Sequence, residues 1–398
     1  MTSRENELLV CVARRSLNVD LVARMTALLD GELDWNYLCE RATQHRLLPL
    51  LYHHLNSICP KRVPSPILDS MREEFVANSK SCLYLFSELR RLLRLFDENG
   101  IKAAVFKGPV LAATVYGDIG LRQVGDLDIL IDPGAFDLAK QLLKSAGYRM
   151  EPALTKSQQS AHLRFHCEIQ FVADGGRVVD LHWGLSPKSF PFGLDPDQVM
   201  QRAERVSIQS TSLLTFSPAD MILYLCFHGS KHYWSRLEWI NSLAEFIRAT
   251  ESIEWSALVD RAKASHSLRM LRVGLLLAQD FGELDLPSYV FSEVEETESL
   301  RKCAAEFKRK LFARQSQPPS AFKMFRYNWQ LMDRKRDAIA GFLRAAFVPT
   351  ISDWHALTLP GGLYLLYYLF RPFRLLRKYL SGRPGKLLPE NLSSALTK

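Results

Sequence analysis

The seven cysteines of this 398-residue chain, at positions 11, 39, 59, 82, 167, 226 and 303, form no C-x-x-C pair. An odd, dispersed set argues against a disulfide framework or a structural zinc site and predicts a protein of the reducing cytosol. Long apolar runs are missing too. The most apolar stretch, Gly361 to Phe370, is far short of the roughly 20 residues that cross a bilayer, and no such run follows the charges of MTSRENELLVCVARRS. Neither a transmembrane helix nor a signal peptide is predicted. The chain also lacks G-x-x-x-x-G-K-[ST], G-x-G-x-x-G, H-E-x-x-H and G-x-S-x-G, which excludes P-loop, dinucleotide-fold, zincin and hydrolase-elbow chemistry on those motifs. His166-Cys167-Glu168 has the H-x-E of zinc deaminases, but no P-C-x-x-C follows it.

What remains is an ordinary globular balance, 47% hydrophobic and 24% charged, with material for two to three domains. The net charge of +8 is unevenly placed. Residues 301–398 carry 19 Lys/Arg against 5 Asp/Glu, a net of +14, whereas the first 300 carry 32 against 38, a net of −6. Such asymmetry fits an anionic partner (nucleic acid, lipid headgroups or a polyanionic glycan), or a set of solvated helix faces.

Residues 1 to 98 read as helices, the last of them, in SKSCLYLFSELRRLLRLFDENG, ending at Asn99-Gly100. The pattern then changes. IKAAVF (101–106) has strand length and is closed by Lys107-Gly108-Pro109, with Pro109 opening a short helix. LDILID (127–132) is a second strand, followed by a helix from Pro133-Gly134 to Gly147. HCEIQFV and RVVDLHW flank Asp174-Gly175-Gly176, a hairpin signal. From Ser217 the helical period returns and persists to about 315, where Gln315 to Ser320 reads as a linker.

Chemistry concentrates in Arg122-Gln-Val-Gly-Asp126-Leu-Asp128-Ile-Leu-Ile. Residues i and i+2 of a strand point the same way, so Asp126 and Asp128 project together while Leu127, Ile129 and Ile131 enter the core. Paired carboxylates repel unless a cation sits between them. Mg²⁺ suits the position: it takes oxygen ligands and keeps places for substrate phosphates, and two such ions clamp an in-line phosphoryl displacement. In RVVDLHW, Val178, Asp180 and His182 share one face. If that strand lies beside the first, Asp180 becomes a third carboxylate of the site, binding one metal and accepting a proton from the attacking hydroxyl. Gly108 lets backbone N–H groups approach a triphosphate, and the helix behind it adds its N-terminal dipole.

The string FKGPVLAATVYGDIGLRQVGDLDILID, followed by VVDLHW, resembles the DNA polymerase beta-like nucleotidyltransferase superfamily, and within it a bacterial family of uncharacterised nucleotidyltransferases. The resemblance extends to the segment from Asp34-Trp35 to His45, to HGSKHYWSRLEW, and to VPTISDW and LFRPFRLLRKY. It implies that Asp126, Asp128 and Asp180 are the metal-binding and catalytic triad, that two Mg²⁺ serve as cofactors, and that Lys107-Gly108 approaches the phosphates. It also tilts the expected role toward surface-polysaccharide metabolism. Where the superfamily has Gly-Ser this chain has Gly108-Pro109, so no hydroxyl is present there, and Ile240-Asn241-Ser242 stands where the family has an Asp.

A second constellation is His228-Gly-Ser-Lys231-His232-Tyr-Trp234-Ser-Arg236. In similar enzymes a helix beyond the core supplies cations to the triphosphate; Lys231 is the first candidate, with Arg236 and His232 behind it. Arg122 either offsets phosphate charge or pairs with a carboxylate. The segment LPGGLYLLYYLFRPFRLLRKYL mixes aromatics and cations, as at a membrane surface, a single-stranded nucleic acid site, or a packed helix.

The expected architecture is α+β, a small mixed-sheet nucleotidyltransferase core embedded between helical N-terminal and C-terminal regions. Its parts are a helical region at 1–81, the core at 82–185, a helical domain completing the site at 186–315, a basic aromatic segment at 316–380 and a disordered tail at 381–398. The expected function is Mg²⁺-dependent transfer of a nucleoside monophosphate from an NTP to an unidentified hydroxyl or phosphate acceptor, in the cytoplasm or peripherally at a membrane. The alternative is a catalytically weak nucleotide-binding or regulatory module on the same fold.

Overall fold

A computed structural model describes residues 3–291, 294–313 and 321–380. The expected linker at 315–320 and tail at 381–398 lie outside the described residues.

Four short helices, α1 (Arg4–Val12), α2 (Val19–Leu29), α3 (Trp35–Gln44) and α4 (Leu48–Ile58), precede the long α5 (Ser65–Glu98). Asp34 caps α3, its carboxylate accepting from the Tyr37 N–H at 2.9 Å. Helix α5 stops where the sequence predicts: Gly100 takes φ +73°, and the Ile101 N–H reaches back to the Phe96 carbonyl.

The central unit runs β1 (Ala103–Val105), α6 (Gly108–Tyr116), β2 (Leu127–Ile131), α7 (Phe136–Ser145), β3 (Tyr148–Glu151), α8 (Lys156–Phe165), β4 (Glu168–Ala173) and β5 (Val178–His182). Its five strands lie in the order β1-β2-β5-β4-β3. The pair β2–β5 is parallel and the other three pairs are antiparallel, so the sheet is mixed, as expected. Each anticipated strand forms, although β1 is trimmed to three residues. Strand β3 and helix α8 did not stand out in the sequence. Nor did α9 (Pro196–Gln201) or the hairpin of β6 (Glu204–Ile208) and β7 (Thr211–Thr215). That hairpin turns through Gln209 and Ser210, both at positive φ, where glycine or asparagine is the usual signal.

Helices α10 (Pro218–Lys231), α11 (Leu237–Ala249), α12 (Trp255–Ala264), α13 (Leu268–Gly282) and α14 (Val294–Leu311) follow, then α15 (Ala321–Leu331), α16 (Lys335–Phe347), α17 (Ile351–Ala356) and α18 (Leu366–Leu380). The sheet separates two apolar layers. Leu127, Ile129, Ile131, Val179 and Leu181 pack toward α5 and α7. Phe106 and Leu130 join the large core built from α10, α11 and α13. Alternation along β2 and β5 therefore aims Asp128, Asp180 and His182 at the helical layer that carries Lys231.

Candidate active site

Strand register brings the acids together. In the parallel pair Asp128 stands opposite Asp180, and Leu130 opposite His182. Asp126 precedes β2 by one residue, on the same side as Asp128. Asp128 is buried, whereas Asp126 and Asp180 are half-buried.

Each carboxylate has a different electrostatic setting. Burial pushes the Asp128 carboxyl upward, but the Lys107 ammonium and the His182 hydrogen bond outweigh it and hold its pKa below the usual value. Lys107 Nζ lies 2.6 Å from Asp128 Oδ1, and His182 Nε2 lies 3.2 Å from the same oxygen. Asp126 is raised, by burial and then by Asp128, against the pull of Lys107, Arg46 and Arg122. Asp180 is raised well above the ordinary range by burial and by Asp126, Glu168 and Asp128. Its Oδ1 is buried and has no hydrogen-bond partner among the described residues. An orphaned carboxylate oxygen facing two further acids is the setting a hard divalent cation relieves, so the residues present fit Mg²⁺.

The turn after β1 is shaped by those acids. Gly108 has φ +58°, and a Cβ there would sit 3.1 Å from the Asp126 carbonyl oxygen. Only glycine lets α6 begin this close to β2. Among the described residues no side chain caps the α6 N-terminus, which leaves its N–H groups and dipole turned toward the site.

Behind the acids runs a chain of charged and polar side chains that the sequence did not reveal. His182 Nδ1 lies 3.3 Å from Glu168 Oε2, and Glu168 Oε1 lies 4.0 Å from Lys231 Nζ. Lys107, Asp128, His182, Glu168 and Lys231 thus connect the β1–α6 turn, β2, β5, β4 and α10. The partner spacing across β4 and β5, with Glu168 opposite His182, is the signal that would have found Glu168. Among the described residues, Cys167, Glu168 and His182 bring one donor atom each within 4.8 Å of one another. Burial pushes the Cys167 thiol up, away from the thiolate that ligates metal, and His182 already faces two carboxylates.

The remaining expected residues are placed as follows. Arg122 Nη2 lies 2.6 Å from Glu238 Oε1 on α11, both side chains being shielded; of its two anticipated roles, this is the carboxylate pairing. Arg236 is buried, stacked over Trp239, and lowered to about 10 by burial and Arg46, so it stays charged at neutral pH. His228 and His232 share a helix face, their rings 4.6 Å apart. Burial and the neighbouring cations hold both well below the usual histidine value, so each is neutral and offers a hydrogen bond rather than a charge. Asn241 does not face the acids: its amide donates to the Tyr116 hydroxyl at 2.7 Å, tying α11 to α6. Arg46, at φ +55°, faces Asp126 and Arg236 electrostatically. It follows His45, whose Nδ1 accepts from the Leu237 N–H, and was hidden in a segment read only as helical.

The mixed sheet thus presents three acids beside a glycine-opened helix. Residues 31–283 match the family described as uncharacterised nucleotidyltransferase, and the chain belongs to that family. The matched span contains every site residue named above. Among solved structures, an antigenic nucleotidyltransferase-like protein from Paracoccidioides brasiliensis is similar at 19% identity, with a TM-score of 0.30 over 52% of this chain and 96% of that one. No curated protein matches the chain. Among the described residues, no helix is long and apolar enough to cross a membrane.

Proposed function

We propose that the chain transfers a nucleoside monophosphate from an NTP to an acceptor hydroxyl or phosphate, with Asp126, Asp128 and Asp180 holding two Mg²⁺ ions. The observation that carries this reading is the β2–β5 register, which sets Asp128 against Asp180 and leaves an Asp180 oxygen unpaired. Bound there, Mg²⁺ would offset charge on the transferred phosphoryl group and on the leaving pyrophosphate.

The chain's own residues do the rest. The acceptor oxygen attacks the α-phosphorus as the bond to pyrophosphate breaks, and pyrophosphate departs with the electron pair. The acceptor proton passes to Asp180, the third carboxylate of the site. The open N–H groups of α6 at Gly108 receive phosphate oxygens. Lys107 and Lys231, at the two ends of the charge chain, flank the triphosphate, with Arg236 and Arg122 supporting the positive field and neutral His232 donating a hydrogen bond. A glycan-linked acceptor in surface-polysaccharide metabolism, a cytoplasmic or membrane-peripheral location, and an anionic partner at the basic C-terminal segment belong to the same proposal.

The test uses Mg²⁺ and NTP labelled at the α-phosphate, following pyrophosphate release and retention of label on an acceptor in a cell extract. Parent protein should release pyrophosphate, and Asp128→Asn should not. Tight Mg·NTP binding with no release under any acceptor would establish instead the weak binding module.

A further inference from the structure

The C-terminal helices close over the core on the side of α8. Asp353 on α17 is buried and bound by Arg371 Nη1 at 2.5 Å and Arg374 Nε at 2.6 Å. That carboxylate is what joins the VPTISDW and LFRPFRLLRKY segments. Around this joint lies a cavity of about 60 Å³ bordered by Lys188, Arg344, Arg371, Arg374 and Lys378, and among the described residues none that line it is acidic. A water needs roughly 10–15 Å³ of such space, so the cavity has room for one oxyanion.

Arg371 and Arg374 are held by Asp353. Lys188 and Arg344, by contrast, line the cavity with no carboxylate partner among the described residues, and like charges on one small cavity repel. Ser189 adds a hydroxyl to the wall, while the Thr350 hydroxyl donates to Asp353 and helps fix the joint. Planar guanidinium groups with nearby hydroxyls match a tetrahedral phosphate better than a spherical or weakly accepting anion. The pocket is linked to the strand that carries Glu168 through His166. That residue lines the pocket, two residues before Glu168 of the charge chain. Its ring, lowered to about 3 by burial and His162, feels both Arg371 and Lys231. A neutral His166 thus stands between the basic pocket and the cation proposed for the triphosphate.

We propose that this pocket is a phosphate-binding site that anchors the acceptor, and that the acceptor therefore carries a phosphate group. Phosphate binding follows from the pocket itself; its assignment to the acceptor rests on the nucleotidyl-transfer reading. The phosphate belongs either to a soluble ester or to a lipid headgroup. Exposed Leu369 and Phe373 on α18 make the lipid source worth its own arm of the experiment.

The experiment titrates full-length protein with inorganic phosphate by calorimetry, and separately with Mg·NTP. Arg344→Gln and Lys188→Gln should each weaken phosphate binding, the former at least about ten-fold, while leaving Mg·NTP binding unchanged. Lys231→Ala should do the reverse. Lys188 is exposed, so its variant keeps the test alive if Arg344→Gln, which loses a bond to the Lys188 carbonyl, folds poorly. Phosphate affinity equal in the parent and both pocket variants, or lost only in Lys231→Ala, overturns the site. Pocket-dependent phosphate binding in a parent that binds no Mg·NTP overturns the nucleotidyl-transfer reading and the acceptor assignment alone. Co-sedimentation with phosphatidylcholine vesicles containing phosphatidic acid, but not with phosphatidylcholine alone, and release by inorganic phosphate identify a lipid-borne group. Phosphate binding without sedimentation identifies a soluble one.

Discussion

Lys107 Nζ and Asp128 Oδ1 lie 2.6 Å apart, with both side chains shielded from solvent. The lysine closing β1 thus serves as counter-ion to the most buried acid of the site. Burial works against the Lys107 ammonium, yet Asp128, Tyr224, Asp126 and Glu168 hold its pKa well above the lysine value. A divalent cation bound as proposed would compete with Lys107 for the same Asp128 oxygen, and its affinity would then include the cost of moving that ammonium.

Lys107→Gln should destabilise the metal-free protein by about 3–5 kcal/mol, the usual result of removing one partner of a buried pair. Asp128 is lowered in the fold, so its contribution is present above the ordinary carboxylate pKa and is lost as pH falls through the folded value. Lys107 is raised, so its contribution is present below the lysine value and is lost only as pH rises through the folded one. The pair is therefore fully effective at neutral pH. Chemical denaturation there should show the loss, and Mg²⁺ should restore more stability to the variant than to the parent. A variant as stable as the parent without metal would leave the pair without structural importance.

Asp180→Asn should act in the opposite direction. A carboxyl raised in the fold contributes fully below its unfolded pKa and loses that contribution as pH rises through the folded value. At neutral pH the parent therefore carries a strained acid, and the variant should be more stable by about 1 kcal/mol, the lower range for a buried unpaired group. The gap should close as pH falls toward the ordinary carboxylate range. A gap that widens on acidification contradicts the raised pKa.

Gly108→Ala should cost about 1–2 kcal/mol, the penalty of a left-handed conformation for a residue with a Cβ. The added atom would also press on the Asp126 carbonyl and shift α6 against β2. Mg·NTP affinity should fall along with stability, because the same movement displaces the N–H groups proposed for the phosphates. Denaturation and Mg·NTP titration of one preparation measure both; loss of stability with unchanged affinity would remove Gly108 from the nucleotide site.

Much of the acid cluster was legible because its signal is local. D-x-D in an apolar strand fixes the side on which Asp126 and Asp128 emerge, and the Asp174-Gly175-Gly176 turn fixes β4 and β5 as a hairpin. What joined the halves, the parallel β2–β5 pairing, is a contact between residues about fifty apart, and no periodicity encodes it. The same holds for Arg46, whose relevance comes only from what tertiary packing places next to it, whereas Glu168 could have been found from the hairpin register that sets it opposite His182. Arg122 was legible as a charge, but its partner Glu238 lies on α11. Strand β3 (Tyr148–Glu151) escaped because Arg149 and Glu151 are exposed on an edge strand, where hydrophobic alternation is weak.

Lys231 ends α10 with its ammonium 4.0 Å from Glu168 Oε1, a separation too long for a hydrogen bond and short enough for charge attraction. Helix α10 ends in an unusual turn that fixes this position. Tyr233 and Trp234 both have positive φ, and the Trp234 ring folds back under Gly229, where any Cβ would collide with it. The Lys231 backbone is therefore rigidly held while its side chain is tethered by one carboxylate. If it contacts the β or γ phosphate, Lys231→Ala should weaken NTP binding by about 1.5–3 kcal/mol, the range for a hydrogen bond to a charged group. Binding of the corresponding nucleoside, which has no phosphates, should stay near the parent value. Titrating both ligands against both proteins separates a phosphate contact from a general loosening of the site, because loosening would weaken the two together. NTP affinity unchanged in Lys231→Ala would confine this residue to balancing Glu168.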